Sequence, residues 1–132
     1  MVCPYTYVSN NYNFILSSKK RSKSIKYTKS VFNLVQVLYR SGIISSFTLF
    51  TNYKKQLLIS ITIFFYKNVP FFKKINTIST LSKKFYISKS TLSLSKLVFK
   101  SSLILLSTSA GVINHKEALK IGVGGVLVYI VH

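Results

Sequence analysis

The amino-acid sequence predicts an α+β fold in two small domains, residues 1–72 and 73–132. A helical spacing of aliphatic residues within 28–41 predicts an amphipathic helix, because residues at that spacing share one helix face. Alternation of apolar and polar residues within 56–65 predicts a half-buried strand. After Pro70 the composition shifts to Ser, Thr and Lys. Such a shift marks a domain boundary.

The charge balance is extreme, because 19 Lys and Arg residues stand against one acid, Glu117, giving a formal charge of +18. With one carboxylate for 19 cations, at least 18 cations have no acidic partner in the chain, and their counter-anions must come from outside. Lys outnumbers Arg seventeen to two, and Lys meets phosphate mainly as a point charge. The composition favours a protein that assembles on a polyanion by recognising its backbone and shape.

The residue types that catalysis and metal binding require are scarce. One Glu, one Cys and two His provide no paired carboxylates and no metal-ligand spacing, so we expect no enzyme, cofactor, metal or small-molecule substrate. The single cysteine, Cys3, forms no internal disulfide. The uncharged windows are too short or too polar to span a membrane, and no basic segment precedes an apolar core as in a secretory signal.

The first domain is expected to start with a short helix at residues 10–18, followed by a dense basic run. Six cations fall within eleven residues: Lys19, Lys20, Arg21, Lys23, Lys26 and Lys29. Such a run either binds phosphates or forms a solvated loop. The overall charge favours phosphate binding.

Residues 28–41 form the predicted amphipathic helix. Its apolar face has the i, i+3, i+4, i+7 spacing, with Val31, Leu34, Val35 and Leu38. Gly42 follows as a helix-ending residue. These aliphatic side chains are expected in the core and not at a cofactor site.

Two strands are predicted next, at residues 43–50 and 56–65, joined by a turn-like segment at 51–55. One face of the second strand is apolar throughout, with Leu57, Ile59, Ile61, Ile63 and Phe65. A period of two is typical of a half-buried strand in a hairpin.

The second domain is predicted to contain strands at 85–87, 103–106 and 126–131. The strand at 103–106 is followed by a run of hydroxyls, Ser107-Thr108-Ser109, and then by Gly111, which tolerates a positive φ angle or a close approach.

A short helix at residues 116–121 is predicted between the last two strands. The sequence Asn114-His115-Lys116-Glu117 fits an N-terminal cap, in which the Asn114 side chain accepts from the Glu117 amide. The Glu117 carboxylate is expected to reach back to the Asn114 amide. Gly122 is expected to end the helix, and His115 to lie at the surface.

This part of the chain resembles a known family. Residues 107–118 read Ser-Thr-Ser-x-Gly-Val-Ile-x-x-Lys-Glu-Ala, and Gly-Val-Gly-Gly follows at 122–125. The pattern is similar to the C-terminal signature of the bacterial-type ribosomal protein eight of the small subunit. Weaker similarity lies in Thr28-Lys29 with the following helix and in Ile78-Ser79 with residues 85–87, so the resemblance covers roughly residues 8–132.

The resemblance implies the order of elements, α-β-α-β-β in the first domain and a mainly β second domain with one short helix. It also implies binding to the central domain of small-subunit rRNA beside neighbouring ribosomal proteins, with the Ser-Thr-Ser loop touching RNA through hydroxyls and main chain. The candidate rRNA-binding residues are Ser107, Thr108, Ser109, Gly111, Lys19, Lys20, Arg21, Lys29, Lys83, Lys84, Lys116, Gly124 and Gly125.

The sequence departs from the family pattern at three places. The family has Pro-Gly where this chain has Leu81-Ser82, and an Asn-Gly-Leu-Gly turn where residues 99–102 stand. An acid that follows the paired glycines in the family is missing after Gly125. The missing acid reflects either a one-residue deletion or a substitution. Because side chains alternate between the two faces of a strand, these two alternatives place different residues of the last strand on the inward face.

Two further alternatives are open from the sequence. A cationic membrane-surface protein, or another nucleic-acid-binding protein of an organelle, also fits Lys with interleaved aromatics. The composition is biased toward amino acids with AT-rich codons: 58 of 132 residues are Phe, Tyr, Ile, Asn or Lys. This bias favours an organellar ribosome, and a mitochondrial ribosome is favoured over a plastid one. The aromatic-rich segment around Tyr66, Phe71 and Phe72 meets either RNA bases or another protein.

Overall fold

The computed structural model describes residues 3–79, 83–98 and 103–132. The family departures at residues 81–82 and 99–102 lie outside the described residues. The chain divides into two compact units, Met1–Lys74 and Ile75–His132, which we call the N-terminal and C-terminal units. The α+β fold class is confirmed, and the N-terminal unit begins with the order α-β-α-β-β.

Helix α1 spans Pro4–Ser17 and begins well before the predicted helix at 10–18. Its buried side chains include Val8, Tyr12 and Ile15, which share one helix face. Pro4 starts the helix, a position where the missing N–H costs nothing. The sequence did not indicate the first two turns, because Tyr, Thr, Asn and Ser are modest helix formers.

Helix α2, Lys29–Arg40, confirms the predicted amphipathic helix. The Thr28 side chain caps it by accepting from the Val31 amide at 3.2 Å. All four predicted apolar residues of its inner face are buried. Gly42 follows in the left-handed region, with a φ of 82°.

Three antiparallel strands form the sheet of the N-terminal unit in the order β1-β3-β2. They are β1 Ser22–Lys26, β2 Ile44–Thr51 and β3 Leu57–Ile63. The alternation predicted for β3 is confirmed at Ile59, Ile61 and Ile63, which are buried, whereas Leu57 at the start of the strand is exposed. The basic run is not wholly a loop: its middle forms β1, which buries Ile25 and exposes Lys26.

A small hairpin follows, made of β4 Phe65–Tyr66 and β5 Val69–Pro70. The strand predicted to run through Phe65 therefore ends at Ile63, and the chain turns. The two turn residues, Lys67 and Asn68, have φ angles of 51° and 64°. Positive φ at both central positions is the geometry of the tight turns that join hairpin strands.

The sheet of the C-terminal unit has the order β6-β10-β8-β9, with β7 also paired to β10. Its strands are β6 Ile75–Thr77, β7 Tyr86–Ile87, β8 Leu103–Thr108, β9 Gly111–Asn114 and β10 Gly125–Val131. The helices are α3 Lys89–Val98 and α4 His115–Ile121. The single predicted helix, α4, is thus joined by α3, whose Ser- and Thr-rich sequence gave no helical signal.

The core cluster of the C-terminal unit joins both helices to the sheet. It contains Leu92 of α3, Ala118 of α4, and Ile104, Leu106 and Ile113 of the strands. Burying these aliphatic groups removes apolar surface from water, which fixes the helices against one sheet face.

A bulge decides the register of the last strand. Leu127 of β10 lies opposite Leu106, but Tyr129 lies opposite Leu105, so Val128 is the extra residue. Val128 and Tyr129 are therefore both fully buried, although they are consecutive.

Candidate nucleic-acid interface

The tip of the β8–β9 hairpin carries the predicted hydroxyl run. Thr108 lies opposite Gly111 in the strand pairing. The Thr108 hydroxyl donates to the Gly111 carbonyl at 2.9 Å and accepts from the Ala110 amide at 3.1 Å. Gly111 has a φ of 102°, which a residue with a Cβ adopts only with strain. Thr108 and Gly111 thus hold the shape of the turn.

Ser107 and Ser109 present their hydroxyls differently. In the part of the chain that the structure describes, neither hydroxyl makes a hydrogen bond, whereas that of Thr108 makes two. Ser109 is exposed and Ser107 half-buried. Both hydroxyls are therefore available to donate to, and accept from, an external ligand.

A groove of about 380 Å³ brings this hairpin together with the paired glycines. We call it the hydroxyl groove. It is lined by Tyr86, Ser107, Thr108, Ser109, Val123, Gly124, Gly125 and Val126. Residues of β8 and residues around the start of β10, which are separate in the sequence, thus form one surface.

The two glycines are required by close packing. A Cβ on Gly125 would collide with the Ser107 carbonyl oxygen and lie 2.8 Å from Thr108 Cγ2. A Cβ on Gly124 would lie 2.5 Å from the Ile87 carbonyl oxygen. Backbone meets backbone at both positions, so a side chain there would push β10 away from β8 or β7 and distort the groove.

Helix α4 follows the hairpin and is capped at both ends. The Asn114 side chain accepts from the Glu117 amide at 2.8 Å, and Gly122 has a φ of 85° and donates its N–H to Ala118. The expected return contact from Glu117 is wrong: among the described residues, its carboxylate makes neither a hydrogen bond nor an ion pair. Glu117 is exposed, and a hydrated carboxylate gains little by leaving water.

His115 is not the surface residue that the sequence suggested. Its side chain is 5% exposed, and its Nδ1 accepts from the Ile104 amide at 3.2 Å. This bond ties the start of α4 to β8 and satisfies a buried backbone donor. This burial could not be predicted from the position of His115 at the start of a helix. It results from the pairing of β8 with β9, which folds α4 back onto the sheet.

The predicted cations of the C-terminal unit, Lys83, Lys84 and Lys116, are exposed and do not line the hydroxyl groove. Lys89 was missed. Its Nζ lies against the end of α4, 3.2 Å from where a Gly122 Cβ would stand, and its backbone packs on Gly124. A cation is favourable at the negative end of a helix dipole. No sequence signal identified Lys89, because helix α3 was not predicted.

Three basic residues of the N-terminal unit line a cleft of about 350 Å³. Lys19, Lys20 and Arg21 line it, whereas Lys29 begins α2 and does not. The Arg21 guanidinium lies 4.4 Å from the centre of the Phe65 ring, a cation–π distance. Lys19 has a φ of 59°, which turns the chain from α1 into β1.

Within residues 3–79, 83–98 and 103–132, no group of three His, Cys, Asp or Glu side chains is placed to hold a metal ion. None of the helices described there has the length and apolar character needed to cross a membrane.

Comparison with known proteins gives one consistent family. The family model described as ribosomal protein S8 matches residues 8–132. Small ribosomal subunit protein uS8 of Chlorobium phaeovibrioides is 31% identical over 112 residues, covering 85% of this chain and 83% of that protein. The uS8 protein of Pelodictyon phaeoclathratiforme is 32% identical over the same coverage.

Proposed function

Because the chain belongs to the ribosomal protein S8 family, we propose that the hydroxyl groove is the surface through which it contacts small-subunit rRNA. The protein is a structural, non-enzymatic constituent of the small ribosomal subunit. The observation that carries the proposal is that Ser107, Ser109, Gly124 and Gly125 line one groove, with two hydroxyls that have no partner among the described residues.

The chemistry of this groove suits an RNA duplex. A-form RNA has a wide, shallow minor groove that displays 2′-hydroxyls, and these both donate and accept hydrogen bonds. Serine hydroxyls do the same, so Ser107 and Ser109 can match either role. Thr108, Gly111, Gly124 and Gly125 act by holding the shape that lets backbone approach the RNA.

Cations supply the phosphate contacts in this proposal. Lys83, Lys84 and Lys116 of the C-terminal unit are exposed. In the N-terminal unit, the cleft of Lys19, Lys20 and Arg21, together with Lys29, provides a second set. These side chains contribute affinity that depends on salt but not on RNA sequence.

The ribosome concerned is proposed to be mitochondrial, with the central domain of the small-subunit rRNA as the binding region. The support for an organelle is the bias toward residues with AT-rich codons, 58 of 132. Finding the encoding gene on a mitochondrial genome, and the protein in mitochondrial small subunits, tests the location; a plastid gene would contradict it.

The experiment compares filter binding of the unmodified chain and of a Ser107→Leu, Ser109→Leu double variant to a central-domain rRNA fragment. Losing two hydrogen bonds of about 1 kcal/mol each should weaken binding roughly thirtyfold. Ser93→Leu is the matched control, because Ser93 is exposed on α3 outside the groove. Circular dichroism checks that all variants remain folded.

Anionic lipid vesicles provide the competing ligand in the same assay. Tighter binding to the rRNA fragment than to vesicles of matched charge supports the proposal. Tighter binding to vesicles, or a double variant that binds rRNA as well as the Ser93→Leu control does, would overturn it.

A further inference from the structure

The N-terminal unit has a further groove, distinct from the cleft of Lys19, Lys20 and Arg21. None of its residues belongs to the family signature at residues 107–125. It has a volume of about 620 Å³ and lies between the end of α2, the start of β2 and the β4–β5 hairpin. We call it the aromatic groove. It is lined by Tyr39, Arg40, Ser41, Gly42, Ile44, Ser45, Phe64, Phe71 and Phe72. Four of these nine residues are aromatic, and only Ile44 has an aliphatic side chain.

The rings of this groove are held in place by the hairpin beside it. The Phe71 amide donates to the Phe64 carbonyl at 3.1 Å, which fixes the two residues across from each other. Their ring centres are 5.6 Å apart at an interplanar angle of 68°, and Phe72 packs edge-on to Phe71 at 4.9 Å. Edge-to-face packing of this kind is favourable, so the groove is pre-formed.

These rings are nevertheless open to solvent. Phe71 is 55% exposed, Tyr66 beside it 56%, Tyr39 49% and Phe64 37%. Single exposed apolar residues are ordinary, whereas several large rings around one groove mark a binding surface.

The positive charge around the aromatic rings indicates the charge of the ligand. The N-terminal unit has no acidic residue, and its twelve cations are Lys19, Lys20, Arg21, Lys23, Lys26, Lys29, Arg40, Lys54, Lys55, Lys67, Lys73 and Lys74. Arg40 lines the groove, and Lys67 lies in the adjoining turn with its Nζ 5.4 Å from the Tyr66 ring centre. Lys73 and Lys74 directly follow Phe72 and are exposed. The ligand must therefore be anionic and must present flat apolar surfaces.

We propose that the aromatic groove binds unpaired nucleotides of single-stranded RNA, with bases stacked on Phe64, Phe71 or Tyr39 and phosphates held by Arg40 and the neighbouring lysines. Aromatic rings interleaved with cations are the usual platform for single-stranded nucleic acid, since every base has a π-face and every nucleotide a phosphate. A groove for an apolar protein helix would need aliphatic as well as aromatic lining, and this one has a single aliphatic residue. The site is separate from the hydroxyl groove, which we assign to duplex RNA.

Fluorescence anisotropy of the full chain tests this, with a labelled oligouridylate and an abasic oligonucleotide of equal phosphate number as probes. Phe71→Leu keeps apolar volume but removes the π-face, and Tyr39→Leu, at another ring that lines the groove, is the second variant. We expect each to weaken oligouridylate binding roughly five- to hundredfold. Binding of the abasic probe, and the salt dependence of both probes, should stay unchanged, because no phosphate contact is removed.

Tyr53→Leu is the matched control, because Tyr53 is 89% exposed and lies outside the groove. If Phe71→Leu and Tyr39→Leu bind oligouridylate as tightly as Tyr53→Leu does, the inference is wrong and the groove is left to a protein partner. Failure here is distinguishable from failure of the proposed function. The Ser107→Leu, Ser109→Leu variant should lose the rRNA fragment but keep oligouridylate.

Discussion

Neighbouring residues of the same chemical type have different physical roles in this protein. Thr108 uses its hydroxyl to shape the hairpin turn, whereas those of Ser107 and Ser109 make no hydrogen bond within the described residues. From the sequence alone, the three residues form one motif and their roles cannot be told apart. Substituting Thr108 should therefore disturb the turn itself, while substituting either serine should remove a contact with RNA and leave the fold intact.

Tyr12 is a second residue whose environment decides its behaviour. Its side chain is fully buried, and its hydroxyl has no hydrogen-bond partner among the described residues. Burial raises the pKa of Tyr12 from 10.0 to about 12, because the phenolate loses its hydration in the core. A buried hydroxyl without a partner also costs stability.

Tyr12→Phe should thus leave stability at neutral pH unchanged or raise it by about 1 kcal/mol. In the unmodified protein the folded state keeps a proton that the unfolded state releases between pH 10 and about 12. The free energy of unfolding should therefore fall there, by up to about 1.4 kcal/mol per pH unit. Urea unfolding across this range measures it. Equal alkaline slopes for both proteins would contradict the account.

At the scale of elements, α4 depends on its ends. It spans only His115–Ile121, and so short a helix is unstable alone. Asn114 caps its start, Gly122 ends it, and His115 bonds it to β8. The helix contributes Ala118 to the core cluster, so its loss would expose the apolar residues of the sheet that Ala118 packs against.

Asn114→Ala should destabilise the protein by about 1 kcal/mol, because the Glu117 amide loses its acceptor. Glu117→Ala is the companion variant and should cost only a few tenths, since its carboxylate acts through the helix dipole alone. Thermal unfolding in the same buffer compares them. A loss of stability from Glu117→Ala as large as that from Asn114→Ala would contradict this account. It would imply that Glu117 makes the reciprocal capping contact, which is absent among the described residues.

At the scale of the whole molecule, charge is uneven between the units. Twelve of the 19 cations belong to the N-terminal unit, which leaves seven, together with the only acid, in the C-terminal unit. In our proposals, both units bind the same polyanion in different ways. Duplex RNA meets the hydroxyls of one unit, and unpaired nucleotides meet the aromatic rings of the other.

The elements that the sequence predicted correctly are those whose signals are local. Helix α2 follows from its apolar spacing, β3 from alternation, and α4 from its cap. The first two turns of α1 and the whole of α3 escaped prediction because tertiary packing, not local propensity, stabilises them. The bulge at Val128 in β10 depends on the partner strand β8 and has no local signal.

The candidate sites divide in the same way. Ser107, Ser109, Gly124 and Gly125 were identified from one motif, but only the pairing of β8 with β10 brings them into one groove. Lys89 depends on the unpredicted helix α3. The aromatic groove depends on the hairpin turn at Lys67-Asn68, where no glycine marks the positive φ angles.

Tethered probing of the protein–rRNA complex tests the central claim, that the hydroxyl groove faces rRNA, most directly. Cys3 is the only cysteine, so Ser109→Cys in a Cys3→Ser background accepts a single radical-generating iron chelate. Bound to the central-domain fragment, this protein should cleave one helical region of the RNA strongly. Cleavage from Tyr53→Cys in the same background should be weak there. No cleavage of the fragment from position 109, together with strong cleavage from position 53, would contradict the account.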